Sequence, residues 1–189
     1  MTKMIVPPTY LAHSEKMDSG DLIEWQSQSA LGWIIRKFTG KDVNHTSLLI
    51  RPDNFSGYHD RRFMLEALGS GVTPNLLSVR LRGYKGRVYW LPLKSKFNGY
   101  RVFIKHIAII RMCEFHPGYD YLDLIKQVAL RASMDVQKFF CSEWCQWVWT
   151  QAEIIKGQKK AVRPGEFGQF GVTNPSVCIY DSTKEKNNG

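Results

Sequence analysis

Cys141 is the residue of this sequence best placed to act as a nucleophile. It lies near the start of an aromatic-rich segment, residues 139–155, whose apolar spacing predicts a helix. A thiol at a helix N-terminus lies near free backbone N–H groups and the positive end of the helix dipole, which both stabilise the thiolate. The same N–H groups can hold the oxyanion that forms when a thiolate attacks a carbonyl group. A buried structural cysteine is the commoner situation for a single thiol and is the alternative.

A cysteine nucleophile needs a base that works near neutral pH, and imidazole is suited to that task. Of the five histidines, His45 is the one at the edge of a strongly apolar segment, residues 44–51, which predicts a strand ending before Pro52. A rigid strand end holds a base in a fixed position. An ordinary histidine at a strand end is the alternative explanation.

Glu66 lies inside a second apolar segment, residues 62–68, which also predicts a strand. A carboxylate in such a segment is costly unless it is paired. If the two strands are neighbours, Glu66 can hold the His45 ring in the productive tautomer and stabilise its cation. Strand alternation offers another outcome, in which Glu66 faces solvent together with Met64 and Leu68.

The segments that position these side chains predict an α+β fold. Further strands are expected at residues 22–25, 76–82 and 87–93, and helices at residues 29–38, 99–112, 121–132 and 139–155. A helix, a run of strands and then helices favour an antiparallel sheet packed against helices. No repeat or low-complexity linker divides the 189 residues, so we expect a single domain over residues 1–189.

The net charge is +9, from 26 Lys and Arg against 17 Asp and Glu, and it favours anionic partners. The basic residues are dispersed and no zinc-finger, basic-zipper or RNA-binding motif accompanies them, which disfavours nucleic acid. Four cysteines in a chain of this size do not predict a disulfide framework. The spacing of Cys141 and Cys145 differs from that of zinc or redox pairs, so we expect neither a metal nor a cofactor.

Neither a signal peptide nor a transmembrane segment is apparent in the sequence. The N-terminal residues lack an apolar core of signal-peptide length. The longest apolar stretch, residues 102–112, is interrupted by Lys105, His106 and Arg111 and is too short to span a bilayer. By default, we therefore expect a cytoplasmic protein.

Five motifs, taken in order, resemble the circularly permuted branch of the NlpC-type papain-like cysteine hydrolases, the YiiX-like group. In that branch the histidine precedes the cysteine. The motifs are Gly20-Asp21-Leu22-Ile23, Asn44-His45-Thr46-Ser47-Leu48-Leu49-Ile50, Leu65-Glu66-Ala67, Gly118-Tyr119-Asp120-Tyr121 and Phe140-Cys141-Ser142-Glu143-Trp144. Two positions depart from the pattern, since Asn44 stands where a serine is usual and Phe140 replaces a common tyrosine.

The resemblance implies Cys141 as nucleophile, His45 as general base and Glu66 as the carboxylate that orients it. It implies a circularly permuted papain-like fold with the nucleophile at a helix N-terminus. The expected activity is that of a cysteine-dependent amidase, thiol peptidase or acyl-transfer enzyme acting through a Cys141 thioester. Relatives in the family act on cell-wall peptides, other amides and lipid esters, so a peptide, amide or lipid-ester substrate is expected.

A non-catalytic binding module of the same fold is the alternative function. Basic residues and the aromatic residues Tyr84, Tyr89 and Tyr100 would then hold an anionic polymer or nucleic acid without chemistry. The two functions differ in geometry, because the enzyme requires the Cys141 sulfur beside a nitrogen of His45.

Overall fold

The structure, a computed structural model, describes residues 7–53, 57–58, 60–68, 71–114, 136–157 and 160–185, and every structural statement below concerns these residues. The strands are β1 Leu22–Ser27, β2 His45–Ile50, β3 Phe63–Leu68, β4 Gly71–Leu76, β5 Gly86–Leu91 and β6 Val177–Asp181. The helices are α1 Pro8–Ser14, α2 Ala30–Thr39, α3 Leu77–Arg80, α4 Arg101–Glu114, α5 Val136–Gln151 and α6 Ser182–Glu185. Short 3-10 helices cover Ser95–Tyr100 and Phe167–Phe170.

The six strands form one sheet in the order β4-β3-β2-β1-β5-β6, and every neighbouring pair is antiparallel. The expectation of an α+β fold with an antiparallel sheet packed against helices is therefore confirmed. The strands at residues 22–25, 44–51, 62–68 and 87–93 and the helices at residues 29–38 and 99–112 are confirmed with small shifts of their ends. The helix expected at residues 121–132 lies outside the described residues.

Both faces of the sheet are buried, because apolar side chains alternate toward each side of the strands. On the side that we call the α5 face, Leu48 and Leu65 pack with Val148 of α5. On the opposite side, the α1 face, Leu49 and Met64 pack in a cluster that includes Tyr10 of α1 and Leu77 of α3.

Glu66 is fully buried, with 0% of its side chain exposed, so the solvent-facing alternative for this carboxylate is wrong. Its strand neighbours Leu65 and Ala67 belong to the cluster on the α5 face, whereas Met64 belongs to the cluster on the α1 face. By alternation Glu66 shares the side of Met64. Because that side is also covered, the carboxylate must find its partners inside the protein.

The strand predicted at residues 76–82 is wrong, because these residues end β4 and form the short helix α3. β4 begins five residues earlier and contains Pro74, which pairs in register with Leu65. β4 is an edge strand of the sheet, and an edge position tolerates a proline that lacks a backbone N–H group.

The helix that carries Cys141 begins earlier than predicted. α5 begins at Val136, so Cys141 lies in its second turn and the expected position at a helix N-terminus is wrong. Residues 136–140 contain neither glycine nor proline, and nothing in them prevents an additional helical turn. Only the first four N–H groups of a helix lack an intrahelical acceptor, and the dipole acts within the first turn. Activation of the thiol must therefore come mainly from groups packed beside it.

Gly20 and Asp21 connect the sheet to both α4 and α5. Trp149 of α5 donates an indole N–H bond to the Gly20 carbonyl oxygen at 3.0 Å. Asp21 is buried and accepts hydrogen bonds from Trp90 Nε1 at 2.8 Å and Leu93 N at 2.9 Å. It also pairs with Arg101 at the start of α4, with Nη1 and Oδ1 2.8 Å apart. The Trp149 bond therefore holds α5 to the residue before β1, and the Asp21 bonds hold β5 and the start of α4 to the same turn.

Candidate active site

β2 and β3 are neighbours, as the sequence predicts, but they part before the end that carries the candidate residues. Their paired positions end at Leu48↔Leu65. Beyond that point β2 stays paired with β1 as far as His45, and β3 stays paired with β4 past Glu66. The divergence leaves room for side chains between the two strand ends, while each end stays supported by its outer neighbour.

Glu66 and His45 contact each other across this divergence. Oε1 of Glu66 lies 3.0 Å from Nε2 of His45. Oε2 accepts a hydrogen bond from Asn75 Nδ2 at 2.8 Å and lies 3.5 Å from Arg80 Nε. Burial raises the pKa of Glu66, but His45, Arg80 and Asn75 outweigh it and hold the pKa below its usual value. Glu66 is therefore a carboxylate, and Nε2 of His45 is held as a donor.

Cys141 lies beside His45 and is almost fully buried, with 1% of its surface exposed. Burial raises the pKa of the thiol. The charge and hydrogen bond of His45, together with the backbone N–H groups of Thr46 and Ser142, outweigh burial and leave the pKa lowered. Thr46 follows His45 directly on β2, so one strand end supplies both contacts to the sulfur.

The imidazole of His45 is held as a cation. Burial lowers its pKa, but the negative charges and hydrogen bonds of Cys141 and Glu66 outweigh that effect and raise the pKa to about 10. Since Glu66 occupies Nε2, Nδ1 is the ring nitrogen left for the sulfur. The lowered pKa of Cys141 and the raised pKa of His45 together favour a thiolate beside an imidazolium, which is the ground state that a cysteine nucleophile needs.

The other three cysteines lack this environment. Cys145 lies one helical turn after Cys141 and is also buried, but burial and the nearby charges of Cys141 and Glu24 raise its pKa well above the usual value. Cys113 and Cys178 are exposed. The structure therefore brings together all three predicted residues and distinguishes Cys141 from every other thiol.

Asn75 and Arg80 belong to the site and were not predicted from the sequence. Asn75 lies on β4 and Arg80 ends α3, so both come from the region where the predicted strand was misplaced. The signal that could have found Asn75 is its alternation with Thr73, which pairs with Glu66 across β3 and β4. If Pro74 had been recognised as an edge-strand residue, a strand over residues 71–76 beside β3 could have been predicted.

Several aromatic and basic residues between positions 80 and 100, which a binding module would use, have internal partners. The ring of Tyr84 packs edge-on against Trp25, with centroids 4.9 Å apart. Arg80 faces Glu66, and Arg87 donates to Asp181 at 3.0 Å. Tyr100 is exposed, and Tyr89 is partly buried on the α5 face. Most of these side chains therefore make contacts within the fold.

No family model matches this sequence, and no curated protein matches it. Among the described residues, no helix combines the length and the apolar character needed to cross a membrane.

Proposed function

We propose that this protein is a cysteine hydrolase or acyltransferase with a circularly permuted papain-like site. Cys141 is the nucleophile, His45 the general acid and base, and Glu66 the orienting carboxylate. The observation that supports this most strongly is the continuous contact from the Cys141 sulfur through the His45 ring to the buried Glu66. The chain order, in which His45 and Glu66 precede Cys141, is the order that the motif resemblance implies.

The arrangement provides for two half-reactions. The Cys141 thiolate attacks the carbonyl carbon of an amide or ester, and Nδ1 of His45 protonates the leaving nitrogen or oxygen as the thioester forms. The neutral ring then takes a proton from water, which attacks the thioester and releases the carboxylic acid and the thiolate, so the thiolate and imidazolium of the starting state are restored. An acceptor amine or alcohol in place of water completes an acyl transfer. Glu66 stabilises the imidazolium in both steps.

A peptide, amide or lipid ester is the proposed substrate class. A largely apolar cavity of about 510 Å³ lies between α4 and the β2–β3 part of the sheet. Ile50, Phe63 and Leu65 contribute to its wall, and the ion pair of Lys105 with Asp53 lies at its edge. Such a cavity suits an apolar side chain or an acyl chain, but it lies at the Ile50 end of β2, opposite His45, and no residue of the proposed triad lines it. The proposed substrate class therefore rests on the motif resemblance.

Alkylation of the cysteines by a small neutral electrophile tests the proposed nucleophile. We expect iodoacetamide at pH 7 to modify Cys141 faster than the exposed Cys113 and Cys178, because His45 lies beside Cys141 and lowers the pKa of its thiol. Peptide mass spectrometry measures each rate. His45→Ala should abolish the difference, and His106→Ala, which removes an exposed histidine from α4, should not.

A screen of amide and ester substrates, with Cys141→Ser as the inactive control, then tests turnover and the thioester. Trapping an acyl group on Cys141 by intact-mass measurement would support the covalent mechanism. Equal alkylation rates at all exposed and buried thiols, unchanged by His45→Ala, would refute the proposed function.

A further inference from the structure

A second buried carboxylate, Glu24, lies close to the proposed nucleophile and has no role in the mechanism above. It belongs to β1, where Leu22 packs in the cluster on the α5 face, and alternation places Glu24 on the same side. Only 6% of Glu24 is exposed. In register it pairs with Thr46 of β2 and with Tyr89 of β5. The three residues form a polar row across a face that is otherwise apolar.

Glu24 and Thr46 both have unused hydrogen-bonding capacity. Oε1 of Glu24 accepts a hydrogen bond from Gly165 N at 3.0 Å, and among the described residues no donor is found on Oε2. The hydroxyl of Thr46 is buried and likewise has no hydrogen-bond partner in the described part of the chain. Burial raises the pKa of Glu24 to about 7, against smaller opposing effects of the Gly165 N–H group and Lys41. A buried carboxylate in this condition favours a ligand that donates hydrogen bonds and carries positive charge.

Glu24 lines a cavity of about 330 Å³, which has the volume of roughly ten liquid water molecules. Its charged side chains are Glu24, Asp42 and Lys41. The ammonium of Lys41 lies 3.6 Å from a carboxylate oxygen of Glu166, which offsets its charge. The cavity is therefore locally acidic, although the whole chain carries a net charge of +9.

The strand register brings Glu24 close to the nucleophile. The backbone N–H group of Thr46 contacts the Cys141 sulfur, and Glu24 lies directly opposite Thr46 on the neighbouring strand. Backbones of paired strands are about 5 Å apart. Val43 of the cavity wall lies two residues before His45. A group bound at Glu24 therefore lies on the strand next to the one whose backbone contacts the sulfur.

We propose that Glu24 and Thr46 form a subsite that binds a primary ammonium group of the substrate beside the scissile carbonyl. The inference rests on the proposed function and names its substrate class as amides or esters of amino compounds. An ammonium has three donors, enough to reach Oε2 of Glu24 and the Thr46 hydroxyl together. An anionic group would meet Glu24 and Asp42 without a free counter-charge.

Methanethiosulfonate reagents test the subsite without a known substrate. The Cys141 sulfur attacks the divalent sulfur of the reagent, which carries the ethyl group. A new S–S bond forms, the bond between the two reagent sulfurs breaks, and methanesulfinate leaves with its electron pair. The 2-aminoethyl and 2-hydroxyethyl reagents have nearly the same size and differ in charge. In a Cys113→Ser/Cys178→Ser background, mass spectrometry gives the rate at Cys141, normalised to that of free 2-mercaptoethanol.

We expect the aminoethyl reagent to react about tenfold faster than the hydroxyethyl reagent, because the ammonium is attracted to a carboxylate in a poorly solvated cavity. Glu24→Gln, which keeps the shape and the bond from Gly165, should remove this preference. Glu15→Gln is the matched control, since it removes the same charge from an exposed position. If Glu24→Gln and Glu15→Gln preferred the aminoethyl reagent to the same extent, the subsite would be overturned.

A second measurement keeps the subsite testable apart from the chemistry at Cys141. In Cys141→Ser, glycine amide should raise the thermal unfolding midpoint, N-acetylglycine amide should not, and Glu24→Gln should remove the effect. If Cys141 of the protein with native Glu24 is activated but reacts equally fast with the two reagents, the subsite alone is refuted. A hydroxyethyl rate at Cys141 that His45→Ala leaves unchanged refutes the proposed function, whatever glycine amide does.

Discussion

Replacing Glu66 with glutamine tests whether this carboxylate sets the tautomer of His45. In the native site one carboxylate oxygen faces Nε2 of His45, while the other accepts from Asn75 and faces Arg80. Glutamine has one oxygen and one NH2 group, so it can match only one of the two sides. If its oxygen faces Asn75 and Arg80, its NH2 group donates to Nε2 and the neutral ring carries its proton on Nδ1. That nitrogen faces Cys141 and then cannot accept the thiol proton.

In the opposite orientation of the glutamine amide, its oxygen faces Nε2 and the productive tautomer of His45 is kept. The NH2 group then points at the two donors Asn75 and Arg80. Leaving the half-buried Asn75 donor without an acceptor costs about 1.5 kcal/mol. The half-exposed Arg80 can turn to water and adds little. Losing the charged partner of the imidazolium removes about 2 kcal/mol more. The sum of about 3.5 kcal/mol, at about 1.4 kcal/mol per factor of ten, lowers the rate several hundredfold.

The measurement is the second-order rate constant for iodoacetamide alkylation of Cys141 at pH 7, with circular dichroism to confirm folding. Combining Glu66→Gln with Asn75→Asp restores an acceptor for the glutamine NH2 group, so that the glutamine oxygen can face Nε2. We expect the double variant to recover about tenfold of the lost rate. Asn75→Asp alone is the control. A single variant within about threefold of native, or a double variant no faster than Glu66→Gln, would refute the tautomer argument.

Two further predictions concern pH and backbone geometry. The rate of thioester formation from an ester should stay nearly level through neutral pH and fall as His45 loses its proton near its pKa of about 10. Because Glu66 raises that pKa, Glu66→Gln should move the alkaline limb of the pH–rate profile to lower pH, and an unmoved limb would contradict the assignment. Gly86 has φ of +149°, and a Cβ there would lie 2.0 Å from the Gln26 carbonyl oxygen. Gly86→Ala should therefore lower the free energy of unfolding by more than about 2 kcal/mol in denaturant titrations, whereas Gly83→Ala, where no atom is within 4 Å, should cost about 1 kcal/mol.

The three residues of the proposed triad could be singled out from the sequence because two of them, His45 and Glu66, lie in or at the edge of apolar segments. Glu66 lies between Leu65 and Ala67, and a charge in such a setting needs a partner. His45 opens the neighbouring apolar strand, so pairing of the two strands brings the residues close. The structure confirms that pairing and the contact between the two side chains.

The supports of the triad could not be predicted, because they depend on tertiary placement. Asn75 follows Pro74, and a proline argues against a strand until the strand is known to lie at the edge of the sheet. Glu24 lies between Ile23 and Trp25, an apolar setting like that of Glu66, but a run of four residues does not show which face of the strand will be covered. Its burial becomes evident only once α5 covers that face of the sheet and the backbone of Gly165 reaches its carboxylate.

The proposed base and the proposed nucleophile are positioned by separate parts of the fold. His45, Glu66 and Asn75 lie on three adjacent strands, so the sheet alone fixes the orientation of the imidazole. Cys141 comes from α5, which is held to the sheet by Trp149 through its bond to Gly20 and by packing on the α5 face. The thiol pKa is lowered only where α5 brings the sulfur to the strand end. Loss of the Trp149 bond should therefore reduce thiolate formation while leaving the contact between His45 and Glu66 intact.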